Sequence, residues 1–78
     1  MIRYILLLLI FIFDLAYSQS ERSLARSGNS NYEKGLFSDA EINYKKALSQ
    51  NDLFEEAQFN LADALFRQDR YDDAIKNL

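Results

Sequence analysis

Apolar and small residues recur along this chain at steps of three and four, and the pattern returns 34 residues later. Gly28 falls over Ala62, Tyr32 over Phe66, Phe37 over Tyr71, Ala40 over Ala74, and Tyr44 over Leu78. Steps of three and four place residues on one face of a helix. A period of about 34 residues marks stacked helix–turn–helix units that bury a core only against their neighbours. The stripe Leu24, Ala25, Gly28 and Tyr32 predicts a first helix over Glu21 to Lys34, stopped by Gly35. Ser38 with Glu41 has the spacing of a capping box. It opens a second helix to Gln50 that buries Phe37, Ala40, Tyr44, Ala47 and Leu48. Asn51-Asp52 is the next turn, and Asp52 with Glu55 repeats the cap-like spacing. A third helix then turns Ala57, Leu61, Ala62, Leu65 and Phe66 inward. Asp69-Arg70 stands where the first copy has Gly35-Leu36, and Asp72-Asp73 opens a fourth helix running to Leu78. An ordinary helix continues to about 11–12 residues, so the array reads as truncated. The small positions let paired helices approach, and Tyr32, Phe37, Tyr44, Phe66 and Tyr71 are expected to fill the gaps between them.

The amino terminus follows another rule. Arg3 precedes nine unbroken apolar residues, Ile5 to Phe13, and the chain turns polar from Asp14. A basic start, a short apolar run and small residues at −3 and −1 describe a secretory signal peptide. Ala16 and Ser18 fill the small positions, so residues 1–18 are read as the signal, with cleavage before Gln19. Nine helical residues at about 1.5 Å each cover roughly 14 Å, against a hydrocarbon core of about 30 Å. The alternative is an uncleaved anchor, which holds the rest on the periplasmic side of an inner membrane. The folded region is then 19–78, with one repeat over about 21–54 and a partial second over about 55–78.

Composition narrows the chemistry. Cysteine and histidine are both absent, which removes disulfides, thiolate sites, and the commonest general base and metal ligand. The net charge of −3 argues against nucleic acid or an anionic membrane surface as partner. Proline is absent and glycine occurs twice, which suits helices with few breaks. The acidic pairs Glu55-Glu56 and Asp72-Asp73 lie in first turns, where the helix dipole accounts for them. Adjacent helical residues point apart and do not converge on a ligand. No nucleophile–base pair, phosphate-binding loop or metal spacing occurs, so the reading is a non-enzyme without cofactor or metal.

These residues resemble the tetratricopeptide repeat (TPR) family. Gly28, Tyr32, Gly35, Phe37, Ala40, Tyr44 and Ala47 sit at consensus positions of the first copy, and Leu61, Ala62, Phe66, Tyr71, Ala74 and Leu78 in the second. The likeness covers nearly all of Glu21 to Leu78. Leu24 and Gln58 depart from it where Trp is typical, Asp52 where Pro is usual, and Asp69 where the second turn glycine belongs. The resemblance implies an all-α antiparallel helix–turn–helix solenoid whose first helices line a concave groove for peptide. Arg26-Ser27-Gly28-Asn29, Tyr32-Glu33-Lys34-Gly35, Tyr44-Lys45-Lys46-Ala47-Leu48 and Phe59-Asn60-Leu61, behind an export signal, are also similar to TPR proteins of bacterial aerotolerance operons. That narrower likeness implies an exported scaffold, periplasmic or secreted, with von Willebrand A-type envelope proteins among its partners. The alternative is the sensory segment of a longer signalling enzyme or transcription regulator.

Projected onto the groove face, the first copy offers Arg26, Asn29 and Glu33, and the second offers Phe59, Asn60, Asp63 and Arg67. Asn side chains can donate to and accept from a peptide backbone, and Arg26 and Arg67 can fork onto a carboxylate. A terminal-carboxylate clamp of the kind seen in chaperone-binding members is not supported, because Ala25 stands where its first Lys belongs. The expected partners are protein or peptide segments, with membrane contact only through an uncleaved signal.

Overall fold

The computed structural model describes residues 2–6 and 19–78 of the chain. Residues 2–6 are helical. The signal segment and its cleavage point after Ser18 lie almost wholly outside the described residues. Beyond them come four helices: α1 (Glu21–Glu33), α2 (Phe37–Gln50), α3 (Glu55–Arg67) and α4 (Tyr71–Lys76). No strand occurs among the described residues, and the fold is all-α. Each helix packs on the next, and α3 also touches α1.

The 34-residue period governs the backbone as well as the residue types. Helices α1 and α3 begin 34 residues apart, as do α2 and α4. Gly35 takes φ +78° and its counterpart Asp69 takes φ +61°, the left-handed conformation that commonly ends a helix. The Gly35 amide donates to the Tyr32 carbonyl and the Leu36 amide to that of Asn31, each at 2.9 Å. One period later, the Asp69 amide donates to Phe66 and the Arg70 amide to Leu65, each at 3.0 Å. This paired closure is the Schellman motif, and it satisfies carbonyls that the helix end leaves open. Aspartate fills the second turn because its short polar side chain tolerates that backbone better than most.

The helix starts differ from the capping pattern read in the sequence. Helix α2 begins at Phe37 with Leu36 at its cap and no side-chain cap bond. The Schellman turn already directs Leu36 into the helix, so Ser38 lies inside the first turn and its hydroxyl donates to Gln68 at 3.2 Å. Glu41 turns inward, only 8% exposed, and receives Lys45 and Arg70 at 2.7 Å each. Gln68 adds a third bond at 3.1 Å. Burial pushes the Glu41 carboxyl up, but these hydrogen bonds and positive neighbours outweigh it and hold it below its usual value. Helix α3 begins at Glu55 after Phe54, again without a side-chain cap; Asn51, not Asp52, turns its side chain back to accept from the Leu53 amide. Among the four helices from Glu21 to Lys76, only α1 is capped by a side-chain oxygen, that of Ser20, at 3.1 Å from the Ser23 amide.

The core divides in two. Leu24, Ala47 and Ala57 form one cluster, flanked by Leu48 and Phe54. Ala40, Tyr44, Leu61, Ala64 and Leu65 form the centre of the other. Ala64 joins the core beside Ala57, Leu61, Ala62 and Leu65 of the expected stripe, whereas Phe66 does not. Gly28 is buried against the Tyr44 ring with no room for a side chain: an added Cβ would lie 2.5 Å from the ring. The aromatic gap-fillers hold less uniformly than expected. Tyr44 is fully buried, Tyr32 and Phe37 are half-buried, and Phe66 and Tyr71 are exposed. Both copies nevertheless form the same edge-to-face pair, Tyr32–Phe37 at 5.1 Å and Phe66–Tyr71 at 5.0 Å. The difference is cover: α3 lies over the first pair's helices, and no described element takes that place for the second.

Candidate functional site: the cleft between α1 and α3

Helices α1 and α3 are corresponding elements of the two units, and they lie side by side because α3 packs on both α1 and α2. Between them runs an open cleft of about 220 Å³ lined by Asn29, Tyr32, Glu33, Tyr44, Asn60 and Asp63. Asn29, Glu33, Asn60 and Asp63 thus share one wall system. Arg26 stands one turn earlier, at a neighbouring hollow that also takes in Asn29, Phe54 and Glu56. Arg67 joins the cleft through Tyr32. Phe59 is not in it; its ring, 66% exposed, faces the α3–α4 side with Phe66 and Ile75.

Two hydrogen-bonded chains hold the cleft in shape. The Tyr44 hydroxyl donates to Asn29 Oδ1 at 2.6 Å, and Asn60 Nδ2 donates to the same oxygen at 3.1 Å. One amide oxygen therefore ties α2, α1 and α3 together. The Tyr32 hydroxyl donates to Asp63 Oδ2 at 2.6 Å, while Arg67 Nε donates to the Tyr32 oxygen at 3.0 Å. The Asp63 bond raises the Tyr32 pKa, burial adds to the shift, and Arg67 opposes it. Burial raises Tyr44 further, to about 12. Both phenols are therefore fixed donors at neutral pH.

These hydroxyls are the functional groups that the stripe pattern missed. Tyr32 and Tyr44 sit at core spacing, and their rings do pack, but each hydroxyl reaches the cleft. The signal was present in the residue type: their counterparts Phe66 and Leu78 carry no hydroxyl, and a buried phenol needs a partner. The same bonds limit Arg67, whose Nε is committed to Tyr32 and which lies 4.0 Å from Asp63. The arrangement can present carboxylates and amides to a polar ligand along one line, with positive charge at both ends. Among the described residues, no group of three potential metal-ligating side chains converges.

No family model, curated protein or solved structure matches the chain.

Proposed function

We propose that the chain is a TPR-type docking module, exported to the bacterial cell envelope, that holds segments of partner proteins in the cleft between α1 and α3. The observation that carries this reading is the 34-residue repetition of helix starts, Schellman turns and aromatic pairs, which sets two equivalent helices along one polar cleft. Residues ordered by the Tyr44–Asn29–Asn60 and Tyr32–Asp63 bonds lose little freedom on binding, which favours affinity. A partner segment would bury its face along the helices, with polar groups setting its register. Arg26 and Arg67 would attract acidic side chains of that segment. The basic start and apolar run ahead of Asp14 support export, and von Willebrand A-type envelope proteins are the partners that the sequence resemblance suggests.

The test is site-specific photo-crosslinking in cells, with the probe replacing either Glu33 in the cleft or Ile42, exposed on α2. The expected result is a discrete crosslinked polypeptide from position 33 alone. It should weaken when Arg26→Glu and Arg67→Glu are combined, with helix content unchanged. Equal capture from both positions, or indifference to the charge reversal, would overturn the proposal.

A further inference from the structure

The two walls of the cleft carry their charges in opposite order. Along α1, Arg22, Arg26, Asn29 and Glu33 form one stripe at steps of four, three and four. The residues 34 positions later, on α3, are Glu56, Asn60, Asp63 and Arg67. The first stripe runs from positive to negative, and its counterpart from negative to positive. These charges do not cancel across the cleft. The four ion pairs among the described residues include none from Arg22, Arg26, Glu33 or Glu56, and all four residues are exposed. Asp63 and Arg67 differ, because the Tyr32 hydroxyl is bonded to both. The uncommitted charge is therefore two guanidiniums against Glu56 at one end, and Glu33 at the other.

The hollows at the two ends meet at Asn29, which lines both. They measure about 310 Å³ at the arginine end and 220 Å³ at the Glu33 end. A single turn of helix, about 10 Å wide and 5.4 Å long, takes roughly 420 Å³, more than either hollow. An extended chain can instead lay one side chain into each. We infer that the cleft takes an extended peptide segment bearing an acidic and a basic side chain four residues apart, which rests on the docking function proposed above. The point midway between Arg22 and Arg26 lies nine residues before Glu33, about 13.5 Å along α1. Four residues of extended chain cover about 13 Å, and side chains at i and i+4 point to the same side. The acid meets Arg22 and Arg26, whose guanidiniums can fork onto a carboxylate, and the base meets Glu33. Between them, the side chain at i+2 falls over Asn29. Reversing the segment reverses the order of its charges, so the rule concerns pairing and spacing, not direction. Glu56 shares the arginine hollow and works against the acid.

The probe is a display library of random linear nonapeptides, selected on the immobilised full chain. Enriched peptides are expected to carry Asp or Glu four residues from Lys or Arg, in either order. The strongest is then synthesised and titrated into the chain and its variants. Glu33→Gln should weaken it about two- to fivefold, the range set by one exposed ion pair. Arg22→Gln combined with Arg26→Gln should cost at least as much, whereas Glu56→Gln should tighten binding about twofold. Glu33→Lys, which makes both ends positive, should shift preference to a peptide with acid at both positions. The substituted residues are exposed, so circular dichroism should show every variant folded. Enriched peptides without the paired charges, or a titration indifferent to Glu33→Gln, would overturn this inference and leave the docking function standing. No enrichment over the bare support would overturn both.

Discussion

Replacing Gly28 with alanine sets two effects of known sign against each other. Alanine is favoured over glycine within a helix by about 1 kcal/mol, so local propensity alone calls for stabilisation. The tertiary structure calls for the opposite. The new Cβ would lie 2.5 Å from Tyr44 Cε1 and 2.8 Å from Cδ1, whereas carbon atoms rest at about 3.5–4.0 Å. The ring would have to retreat by about 1 Å. It has little room, because Tyr44 is 1% exposed and packs with Leu61 and Leu65. Its hydroxyl is also held at 2.6 Å from Asn29. Overpacking costs about 1–3 kcal/mol, and weakening that hydrogen bond adds about 1 kcal/mol. Subtracting the helix gain leaves a net loss of about 1–3 kcal/mol. For a domain of this size that lowers Tm by roughly 5–20 °C, readable as the thermal transition in far-ultraviolet circular dichroism. The counterpart position already carries Ala62, and there the residue corresponding to Tyr44 is the exposed Leu78. An unchanged or raised Tm for Gly28→Ala would refute the account of Gly28 as a packing position.

Two further expectations concern the turns and the phenols. Gly35→Ala meets no atom within 4 Å of the new Cβ, so its loss of about 1 kcal/mol comes from the positive φ alone. Asp69→Gly should gain about 0.5–1 kcal/mol by relieving the same conformation, and denaturant midpoints of both variants check the pair. Tyr44, raised by burial to about 12 from the usual phenol value of 10.0, favours the folded state while neutral. Its contribution is complete below the unfolded value and is lost as pH rises through the folded one. Ultraviolet phenol titration should therefore show a late-ionising tyrosine that Tyr44→Phe removes, with stability falling between pH 10.0 and about 12. A titration in which Tyr44→Phe removes only an ordinary phenol would contradict the burial argument.

Helix positions, the two turns and the repeat were legible because their causes are local. A stripe at steps of three and four specifies a helix face wherever it occurs, and a left-handed residue ends a helix whatever packs on it. Thus Gly35 and Asp69 marked matching turns although their residue types differ. Local pattern failed where a partner some thirty residues away decides the outcome. Ser38 and Glu41 have the spacing of a cap, yet Gln68 and Arg70, brought over α2 by the turn after α3, draw both away. Tyr32 and Phe66 occupy equivalent stripe positions, but only Tyr32 has α3 beside it. The cleft was half legible: its Asn and Asp positions followed from the period, while the Tyr32 and Tyr44 hydroxyls that lock it emerged from inter-helix geometry. Phe59 left the cleft for the α3–α4 side for the same reason. Sequence by itself determined where this chain coils and turns, because φ, ψ and helical periodicity are properties of neighbours. The tertiary structure alone decided which carboxylate is buried, which hydroxyl is held and which aromatic pair α3 covers, because burial depends on what another segment covers.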